Sequence, residues 1–448
     1  MPKISVIMPS LNVATYYAEC IESVLDQSFT DIEVIAVDAG STDGTLDILN
    51  RYAQSDNRIK VIHSPKKSYG AQMNMGIDAA SGEYVAFLET DDYFYRYALE
   101  KLLDIAEDDD LDYIKGWTYG FWEYGTDKKI VEDDKIFMNL PNGEDILSPN
   151  EFPKLLLYDY HVWNGLYKRK FLENIRFNET KGAAFQDIGF IVQCLIRASR
   201  VRYVDFPVYW YRRNNADSSV YNPLGLKYLA DEYEIIAQMG GEISKIQWTF
   251  IWRRLIIQTM TRLYTMYKSG KIWSSMESDL RRICILIKQA DMKGQILDEF
   301  DNIVYKKLLR LMLAEKYELL KYTSWLVAPI KPIIDVFSSD TFLIYGAGIR
   351  GHAAFSAAIK THSKPPTAFV DSNSKMWGKI VSGTKVISTS EATEKYPDAK
   401  YIIAAKGQEH NIKETLKIAG ISEDSIVCFD VNVKWWLDYM EGLYGWGI

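Results

Sequence analysis

Residues 84–92 read Tyr-Val-Ala-Phe-Leu-Glu-Thr-Asp-Asp, a continuous apolar run that ends in three carboxylates within four residues. Short apolar runs without polar interruption are typical of strands that are buried on both faces. We therefore predict a strand over residues 84–88, with Glu89, Asp91 and Asp92 placed directly at its carboxyl end.

The chain before this stretch alternates strand and helix patterns. Further apolar runs predict strands over residues 4–8, 32–37 and 59–63. Apolar residues at helical spacing predict helices between the strands, the last of them over residues 70–80. Strands and helices that alternate at this spacing indicate a parallel sheet with right-handed crossovers. Ligand sites of such sheets lie at the carboxyl ends of the strands, where Asp38 follows the second strand.

The acidic cluster at residues 89–92 needs an explanation, because neighbouring carboxylates repel one another. A divalent cation removes the repulsion, and carboxylate oxygens suit Mg²⁺ or Mn²⁺, either of which can bridge to a diphosphate. A solvated acidic turn is the alternative for such a tetrapeptide taken alone. The position at the end of a buried strand, together with Asp38 at another strand end, favours the cation site.

The composition limits the class of protein. A chain of 448 residues with 48% apolar and 25% charged residues predicts a globular protein of two or three domains. The net charge of −8 argues against nucleic acid as a partner. The 4 cysteines are scattered without a Cys-x-x-Cys pair, which excludes a zinc ribbon or a disulfide scaffold and fits a reducing compartment.

The patterns divide the chain into three segments. Residues 1–220 hold the α/β pattern described above, and residues 221–338 are rich in Leu, Ile, Lys, Arg and Glu at helical spacing. Residues 339–448 start with a second α/β pattern and end in an aromatic tail. We predict an α/β protein with a Rossmann-like first domain, a helical middle segment for packing or for the acceptor side, and a second, smaller Rossmann-like domain.

Several short motifs in the first half of the chain together resemble one family. The matching segments, in order, are residues 4–12, 37–44, 69–76, 82–92, 163–168, 185–188 and 211–215. Over residues 3 to about 220 the chain resembles the family 2 inverting glycosyltransferases, which have the GT-A fold of nucleotide-diphospho-sugar transferases. The resemblance implies a nucleotide-sugar donor, a divalent metal as cofactor and a hydroxyl acceptor.

The resemblance also implies roles for individual residues in donor binding. It places Pro9 and Asn12 beside the nucleotide and Asp38 at the base, which is expected to be uracil. Asp92 would lie near the donor sugar. Arg212 would contact the diphosphate, for which a planar guanidinium is well suited.

The resemblance assigns the metal and the reaction to three acids. Asp91 would be the metal ligand together with Glu89, which also contributes to donor binding and stands where the family more often has Asp. Asp187 matches the catalytic base, and Gln186 stands where the preceding residue is commonly Glu. An acceptor hydroxyl is a poor nucleophile at neutral pH, so a base would activate its attack on the anomeric carbon opposite the leaving diphosphate. The alternative role for Asp187 is that of a helix N-cap.

Two further departures from the family bear on the donor. Ala39 replaces an acid that often follows Asp38, and Met73 stands where many members have Arg. The second change removes a phosphate contact, so the donor follows less directly from the resemblance than the class of reaction does.

We predict an enzyme that moves a sugar from a nucleotide-diphosphate donor, expected to be a UDP-sugar, to a hydroxyl of a surface polysaccharide or lipid-linked glycan of the cell envelope. A nucleotidyl transferase acting on a sugar phosphate is an alternative on the same fold, and it would not need a base at Asp187. A catalytically inactive nucleotide-binding scaffold is the other alternative. Against the scaffold stands the acidic cluster, which costs stability unless a cation is used.

His161 and Trp163 are candidates for the acceptor side. An indole can stack on the face of a sugar ring, and His161 precedes Trp163 by two residues. Core packing explains Trp163 equally well, and a packed or solvated histidine is the simpler interpretation of His161.

The third segment carries a dinucleotide-binding fingerprint. Gly346, Gly348 and Gly351 follow a strand pattern and open a helix, with Asp371 about twenty residues further on. Such glycines allow close approach to a diphosphate, and the acid would bind ribose hydroxyls. Because no catalytic set accompanies the fingerprint, a fold retained for packing or homo-oligomer contacts is slightly favoured over a bound dinucleotide.

Membrane contact is a further hypothesis. The helical segment has a local excess of basic residues, and residues 322–327 and 434–437 add aromatic side chains that suit an interface with anionic lipid. Core packing and dimer contacts explain the same residues. Because the start of the chain lacks a signal-peptide pattern, we expect a cytoplasmic protein, with peripheral binding at the inner face of the membrane as an option.

Overall fold

The protein is represented by a computed structural model, which describes residues 1–124, 127–133, 145–215, 222, 224–240, 243–268, 276–297, 309–310, 312–314, 331–348, 350–351, 354–355, 358–359, 364–405 and 408–429. The described residues fall into two compact units. The first takes in those of Met1–Gly120 and Glu132–Lys321, and the second those of Phe121–Val131 and Tyr322–Gly442.

The larger of the two described sheets has nine strands. They are β1 (Ile4–Ser10), β2 (Ile32–Asp38), β3 (Ile59–His63), β4 (Tyr84–Phe87), β5 (Tyr93–Phe94), β6 (Tyr113–Tyr124), β7 (Asp127–Asp133), β8 (Gly165–Lys168) and β9 (Val201–Arg212). Their order is β3-β2-β1-β4-β8-β6-β9-β5, and β7 pairs with β6.

One half of this sheet is parallel and the other half is antiparallel. β1 pairs in parallel with β2 and β4, and β2 with β3, as the alternating pattern predicts. β8 is antiparallel to β4 and to β6, and β5 is antiparallel to β9. The register places Ser10 beside Asp38 and Ile7 beside Phe87. The ends of β1, β2 and β4 therefore meet at one edge of the sheet.

The described helices of the first unit pack on this sheet or on one another. They are α1 (Ala14–Leu25), α2 (Thr45–Ser55), α3 (Tyr69–Ala79), α4 (Ala98–Asp108), α5 (Leu155–Tyr158), α6 (Gln186–Arg197), α7 (Gly225–Ile236), α8 (Lys245–Lys268) and α9 (Glu277–Met292). In α1 the spacing of Tyr17, Cys20, Ile21 and Val24 places all four on one buried face. In α7–α9, which fall in the predicted middle segment, α7 packs on α8 and α9, and α8 packs on α5.

The second unit contains a six-stranded sheet. Its strands are β10 (Phe342–Tyr345), β11 (Ala368–Val370), β12 (Ile380–Val381), β13 (Thr384–Ile387), β14 (Lys400–Ile403) and β15 (Ile426–Cys428), and its described helices are α10 (Lys331–Phe337), α11 (Thr389–Lys395) and α12 (Glu409–Ile418). The order is β12-β13-β11-β10-β14-β15, parallel except for the β12–β13 hairpin. The order reverses direction between β10 and β14, which is where doubly wound sheets have their crevice.

The predicted fold class, an α/β protein with a second and smaller sheet, is confirmed. Among the described residues no helix is both long and apolar enough to span a membrane.

Candidate active site

A cleft of about 480 Å³ opens at the shared edge of β1 and β4. Most of the residues predicted for the first site line it, namely Pro9, Asn12, Glu89, Asp91, Asp92, His161, Trp163 and Asp187. Asp38 and Arg212 are not among the lining residues. Polar groups that are far apart in the sequence thus share one cavity.

The acidic segment leaves β4 in a tight turn. The backbone N–H of Asp92 donates to the carbonyl of Glu89 at 3.1 Å. The Thr90 hydroxyl donates to the carbonyl of Pro9 at 2.9 Å, which ties the turn to the end of β1. The Tyr69 hydroxyl at the start of α3 donates to Glu89 Oε1 at 2.5 Å. These bonds fix the acids in the lining of the cleft.

Burial and mutual repulsion both disfavour the charged forms of two of these acids. Burial is the main cause that raises the pKa of Glu89 to about 8, and Asp91 and Asp187 add repulsion. Burial also raises the pKa of Asp92 well above its usual value, again with repulsion from Asp91. Asp92 Oδ2 is buried without a hydrogen-bond partner in the described part of the chain. A cation or a proton would compensate this cluster.

Asp91 is the acid of this cluster that best fits a cation in the cleft. It is partly exposed, and its Oδ2 accepts a hydrogen bond from the Asn215 amide at 2.7 Å. No group of three or more His, Cys, Asp or Glu side chains among the described residues is arranged around a metal position. The carboxylate of Asp91 could still hold Mg²⁺ or Mn²⁺, which proteins often bind with one or two carboxylates while phosphate oxygens and water complete the shell.

Asp38 is buried at the end of β2 and is not among the residues that line the cleft. Its side chain is fully buried, and its Oδ1 accepts from the N–H groups of Gly40 and Ser41 at 2.8 and 2.9 Å. Its Oδ2 accepts from the hydroxyls of Ser41 and Ser10 at 2.5 and 3.1 Å. The carboxylate therefore shapes the loop after β2, whereas the sequence predicted a contact with the base.

Arg212 also differs in position from the prediction. Its guanidinium donates to the carbonyl of Asp91 at 2.9 Å and to Glu19 at 2.5 Å, and its backbone N–H donates to Asp92 Oδ1 at 2.7 Å. These bonds hold the acidic turn from behind. The next residue, Arg213, lines the cleft instead, because neighbouring side chains at the end of a strand point to opposite sides.

Asp187 sits in the first turn of α6 and lines the cleft. Its Oδ1 accepts from the N–H of Ile188 at 3.0 Å. The N-cap position itself is Phe185, which makes no side-chain capping bond. Burial raises the pKa of Asp187 above its ordinary value, while the charges of Arg254 and Arg262 partly counter that rise. Asp187 is therefore not the N-cap of α6, and its side chain lines the cleft.

The residue before α6 has an unusual backbone. Phe185 has a φ of 69°, in the left-handed region that a bulky L-residue rarely adopts. Gln186 is 1% exposed, and its amide nitrogen donates to Thr180 O, Thr180 Oγ1 and Gly182 O. A carboxylate could not make these donations, which explains why an amide suits the position next to Asp187.

The aromatic pair predicted for the acceptor side is packed into a stack. The Trp163 ring lies 4.2 Å from the ring of His161 and 4.2 Å from that of Tyr209, nearly parallel to both. Its side chain is only 6% exposed. Trp163 therefore supports the cleft wall more than it offers a free face to a sugar.

Comparison with known proteins identifies the family of this site. The family described as Glycosyl transferase family 2 matches residues 5–176. An uncharacterized glycosyltransferase of Bacillus subtilis, EpsJ, is 31% identical over 243 residues, which cover 52% of this chain and 68% of that protein. An uncharacterized glycosyltransferase of Haemophilus influenzae is 32% identical over 197 residues, covering 44% of this chain and 72% of that protein. The chain belongs to glycosyltransferase family 2.

This family 2 glycosyltransferase has the same fold as a protein of known structure. The structure of S. aureus TarS 1–349 in complex with UDP-GlcNAc aligns with a TM-score of 0.54 at 18% identity, over 72% of this chain and 91% of that one. The expected GT-A architecture of the first unit is thereby confirmed.

Several residues of the family 2 site were missed in the sequence. Tyr69 lies within a matching motif, yet only the structure shows its hydroxyl on Glu89. The sequence analysis assigned the diphosphate contact to Arg212 and gave no role to Arg213. Arg254 and Arg262 of α8 line the cleft but lie well beyond residues 5–176, and nothing in their local sequence signals a site.

The second unit places the predicted fingerprint at the edge of β10. Gly346 has a φ of 103°, and a Cβ on Gly351 would lie 1.9 Å from the carbonyl oxygen of Gly346, so both positions need glycine. Asp371 Oδ2 accepts from the N–H of Ala347 at 2.9 Å. This hydrogen bond from Ala347 to Asp371 orders the loop that contains Gly348.

Two predictions for the last third of the chain are not tested by the structure. Dinucleotide binding stays a prediction. The aromatic segments 322–327 and 434–437 lie outside the described residues.

A buried acid on α7 supports the helix that carries Asp187. Glu232 is 1% exposed, and its Oε1 accepts from the N–H of Gly189 in α6 at 2.8 Å. A Cβ on Gly189 would lie 2.2 Å from this oxygen, so glycine permits the contact. Burial is the main cause that raises the pKa of Glu232 to about 8.

We expect Glu232 to make the enzyme less stable as the pH rises. The folded state holds a proton that the unfolded chain releases near pH 4.5, so this stabilisation is complete below pH 4.5 and is lost as the pH rises through about 8. The loss amounts to at most ~1.4 kcal/mol per pH unit. Thermal unfolding at pH 5, 6, 7 and 8 should show a shallower decline for Glu232→Gln than for the wild type, although Glu89 contributes in the same direction.

Asp231→Asn is the matched control for this measurement. Hydrogen bonds from Lys227 and Arg282 lower the pKa of Asp231 against its burial, so it is ionised over the whole range in both states. Its loss should lower stability by a similar amount at each pH. If the stability of Glu232→Gln and that of the wild type declined in parallel with rising pH, the hypothesis that Glu232 is protonated in the folded state would be wrong.

Proposed function

We propose that this enzyme transfers a sugar from a nucleotide-diphosphate donor, a UDP-sugar, to an acceptor hydroxyl with inversion at the anomeric carbon. The observation that carries the proposal is the meeting of Asp91 and Asp187 in one cleft, which also holds Glu89 and Asp92, two acids whose pKa values are raised by burial. The known complex of the similarly folded TarS with UDP-GlcNAc supports a uridine donor.

The donor side is assigned to residues from the strand ends. Pro9 and Asn12 line the cleft after β1, and the Asn12 side-chain oxygen accepts from the N–H of Thr42, which orders the loop after β2. We assign the diphosphate contact to Arg213, whose guanidinium lies 4.5 Å from the Tyr211 ring centre and lines the cleft. Arg212 contributes indirectly, because it holds the acidic turn in place.

The metal side is assigned to Asp91, with Glu89 as a supporting ligand. A divalent cation bound there would neutralise charge that develops on the leaving diphosphate. Asn215 and Tyr69 orient the two carboxylates through the hydrogen bonds described above. The arrangement of these acids in the wall of the cleft supports Mn²⁺ or Mg²⁺ as the cofactor.

Asp187 serves as the general base. Its carboxylate takes the proton of the acceptor hydroxyl as that oxygen attacks the anomeric carbon, and the nucleoside diphosphate leaves from the opposite face. A pKa raised by burial makes the carboxylate a stronger base, and Arg254 and Arg262 favour its ionised form. A nucleotidyl transfer would not need Asp187 as a general base.

The acceptor is proposed to be a surface polysaccharide or lipid-linked glycan made at the cytoplasmic face of the membrane. A relative supports a role in cell-envelope polysaccharides: the putative teichuronic acid biosynthesis glycosyltransferase TuaG of Bacillus subtilis is 45% identical over 104 residues, 23% of this chain and 41% of that protein.

Donor hydrolysis tests the proposal without knowledge of the acceptor. In the presence of Mn²⁺, at least one member of a panel of UDP-sugars should release UDP in a saturable manner, and EDTA should abolish the release. GDP- and dTDP-sugars serve as comparison donors, and an Asp187→Asn preparation shows whether a contaminant contributes. If no donor is turned over and neither UDP nor Mn²⁺ binds, the inactive scaffold is the correct interpretation.

A further inference from the structure

The polar face of α8 carries an inference about the acceptor, and it rests on the proposed function. Arg254, Gln258, Thr261 and Arg262 all line the cleft. Residues separated by four, seven and eight positions lie on the same face of a helix. This face therefore forms one wall of the cavity that also contains Asp187.

Arg254 is held rigidly in this wall. It is 4% exposed, and its Nη1 donates to the carbonyls of Asp159 and Leu156 at 3.0 and 3.4 Å. Asp159 is fixed in turn, because its carboxylate accepts from Lys115 Nζ at 2.5 Å and from the Tyr203 hydroxyl at 2.7 Å. Lys115 and Asp159 are both fully buried. The guanidinium of Arg254 is thus set in position before any ligand arrives.

One end of this guanidinium is unused. Arg254 Nη2 is buried and has no hydrogen-bond partner among the described residues. A charged donor that is taken from water without an acceptor costs free energy, so such groups usually meet a partner in the working state. An oxyanion of a ligand in the cleft would supply the acceptor.

Arg262 adds a second positive charge to the same wall. Its guanidinium carbon lies 4.6 Å from the centre of the Phe185 ring, close to the start of α6. The charges of both arginines act on the carboxylate of Asp187, so this wall of the cleft carries positive charge next to the proposed base. The same cleft is also lined by Glu89, Asp91 and Asp92 from the turn after β4, so it contains both acidic and basic groups.

We propose that Arg254 and Arg262 bind an anionic group of the acceptor, a phosphate or a carboxylate close to the hydroxyl that receives the sugar. Either oxyanion matches the planar fork of a guanidinium with two parallel hydrogen bonds. The binding directs the accepting hydroxyl towards Asp187 and selects charged acceptors over neutral ones.

The test uses the full-length chain saturated with UDP and Mn²⁺, so that the donor side is filled. Titration calorimetry measures binding of glycerol 1-phosphate, glucuronate and neutral methyl glucoside. We expect saturable binding of at least one anion, no comparable binding of methyl glucoside, and about a tenfold or greater loss of affinity in Arg254→Gln and Arg262→Gln. Arg281→Gln, which removes the same charge from a 53% exposed side chain on α9, should bind as the wild type does.

Each result bears on the proposal. The anion that binds more tightly, phosphate or carboxylate, identifies the acceptor group. If Arg254→Gln does not fold, Arg254→Lys replaces it: lysine keeps the charge but lacks the planar fork, so its affinity for the anion should also be lower than that of the wild type. Wild-type affinity in both the Arg254 and the Arg262 variants would overturn the anion site, as would an absence of anion binding by the wild type. If the chain does not bind UDP, the proposed donor fails, and the same titration of the ligand-free chain still decides the anion site.

Discussion

Replacing Asp187 with Asn should lower the rate of sugar transfer and of donor hydrolysis by about a thousandfold, within the range typical of a lost general base. Asparagine has nearly the same shape and can still accept the hydrogen bond from the N–H of Ile188, but it cannot take up a proton. The affinity for UDP should therefore stay within about threefold of the wild type, since a loss confined to the transition state spares binding. Stopped assays of UDP release and calorimetric titration with UDP measure the two quantities.

Asp104→Asn is the control for this substitution, because it removes a carboxylate of the same size from an exposed position on α4. It should leave both turnover and affinity unchanged. If Asp187→Asn kept more than about a tenth of the wild-type turnover, far above what loss of a base permits, the base would have to be another group.

Replacing Asp91 with Asn should abolish the part of donor affinity that depends on the cation. In the wild type, removal of Mn²⁺ by EDTA should weaken UDP binding by about a hundredfold, or ~2.7 kcal/mol. Asp91→Asn should bind UDP as weakly as the chelated wild type, and EDTA should have no further effect on the variant, because both changes remove the same interaction. Titration of UDP with and without Mn²⁺ provides the four affinities.

Two outcomes would contradict the role of Asp91. A wild-type affinity that does not respond to EDTA would remove the cation from donor binding altogether. An Asp91→Asn variant whose affinity still rises with Mn²⁺ would move the ligand to Glu89 or to another group. Asp104→Asn again supplies the comparison, since it changes the net charge equally without touching the cleft.

The parallel half of the large sheet was predictable because its central strands are buried on both faces. Every residue of β1 and β4 is buried, and in β2 only Glu33 is partly exposed, so these apolar runs stand out without alternation. The antiparallel half was not predicted. β6 and β9 contain many aromatic and polar residues, and their pairing depends on partners far away in the sequence.

Site residues could be predicted where a family motif falls at the end of a strand. They could not be predicted where the direction of the side chain determines which of two neighbours lines the cleft. Arg212 and Arg213 are adjacent and chemically identical, and only the register of β9 determines which one lies in the cleft. Asp38 was located at the correct strand end. The hydrogen bonds that hydroxyls and amides of the adjoining segments donate to the carboxylate of Asp38 can be seen only in the folded structure.

The α8 wall could not be predicted at all. Arg254 and Arg262 belong to a segment whose local pattern is that of any amphipathic helix, and α8 meets the cleft through its packing on α5. Helix faces become functional only through the element they pack against, which a short sequence window does not contain.

The left-handed backbone of Phe185 has a consequence for the improvement of this enzyme by mutation. That conformation costs an L-residue roughly 1–2 kcal/mol, so selection for thermostable variants should favour glycine or asparagine there. Either replacement would also remove the ring against which Arg262 lies, beside the turn that presents Asp187. From the role proposed for Arg262, we therefore expect the variants that gain stability at this position to lose activity.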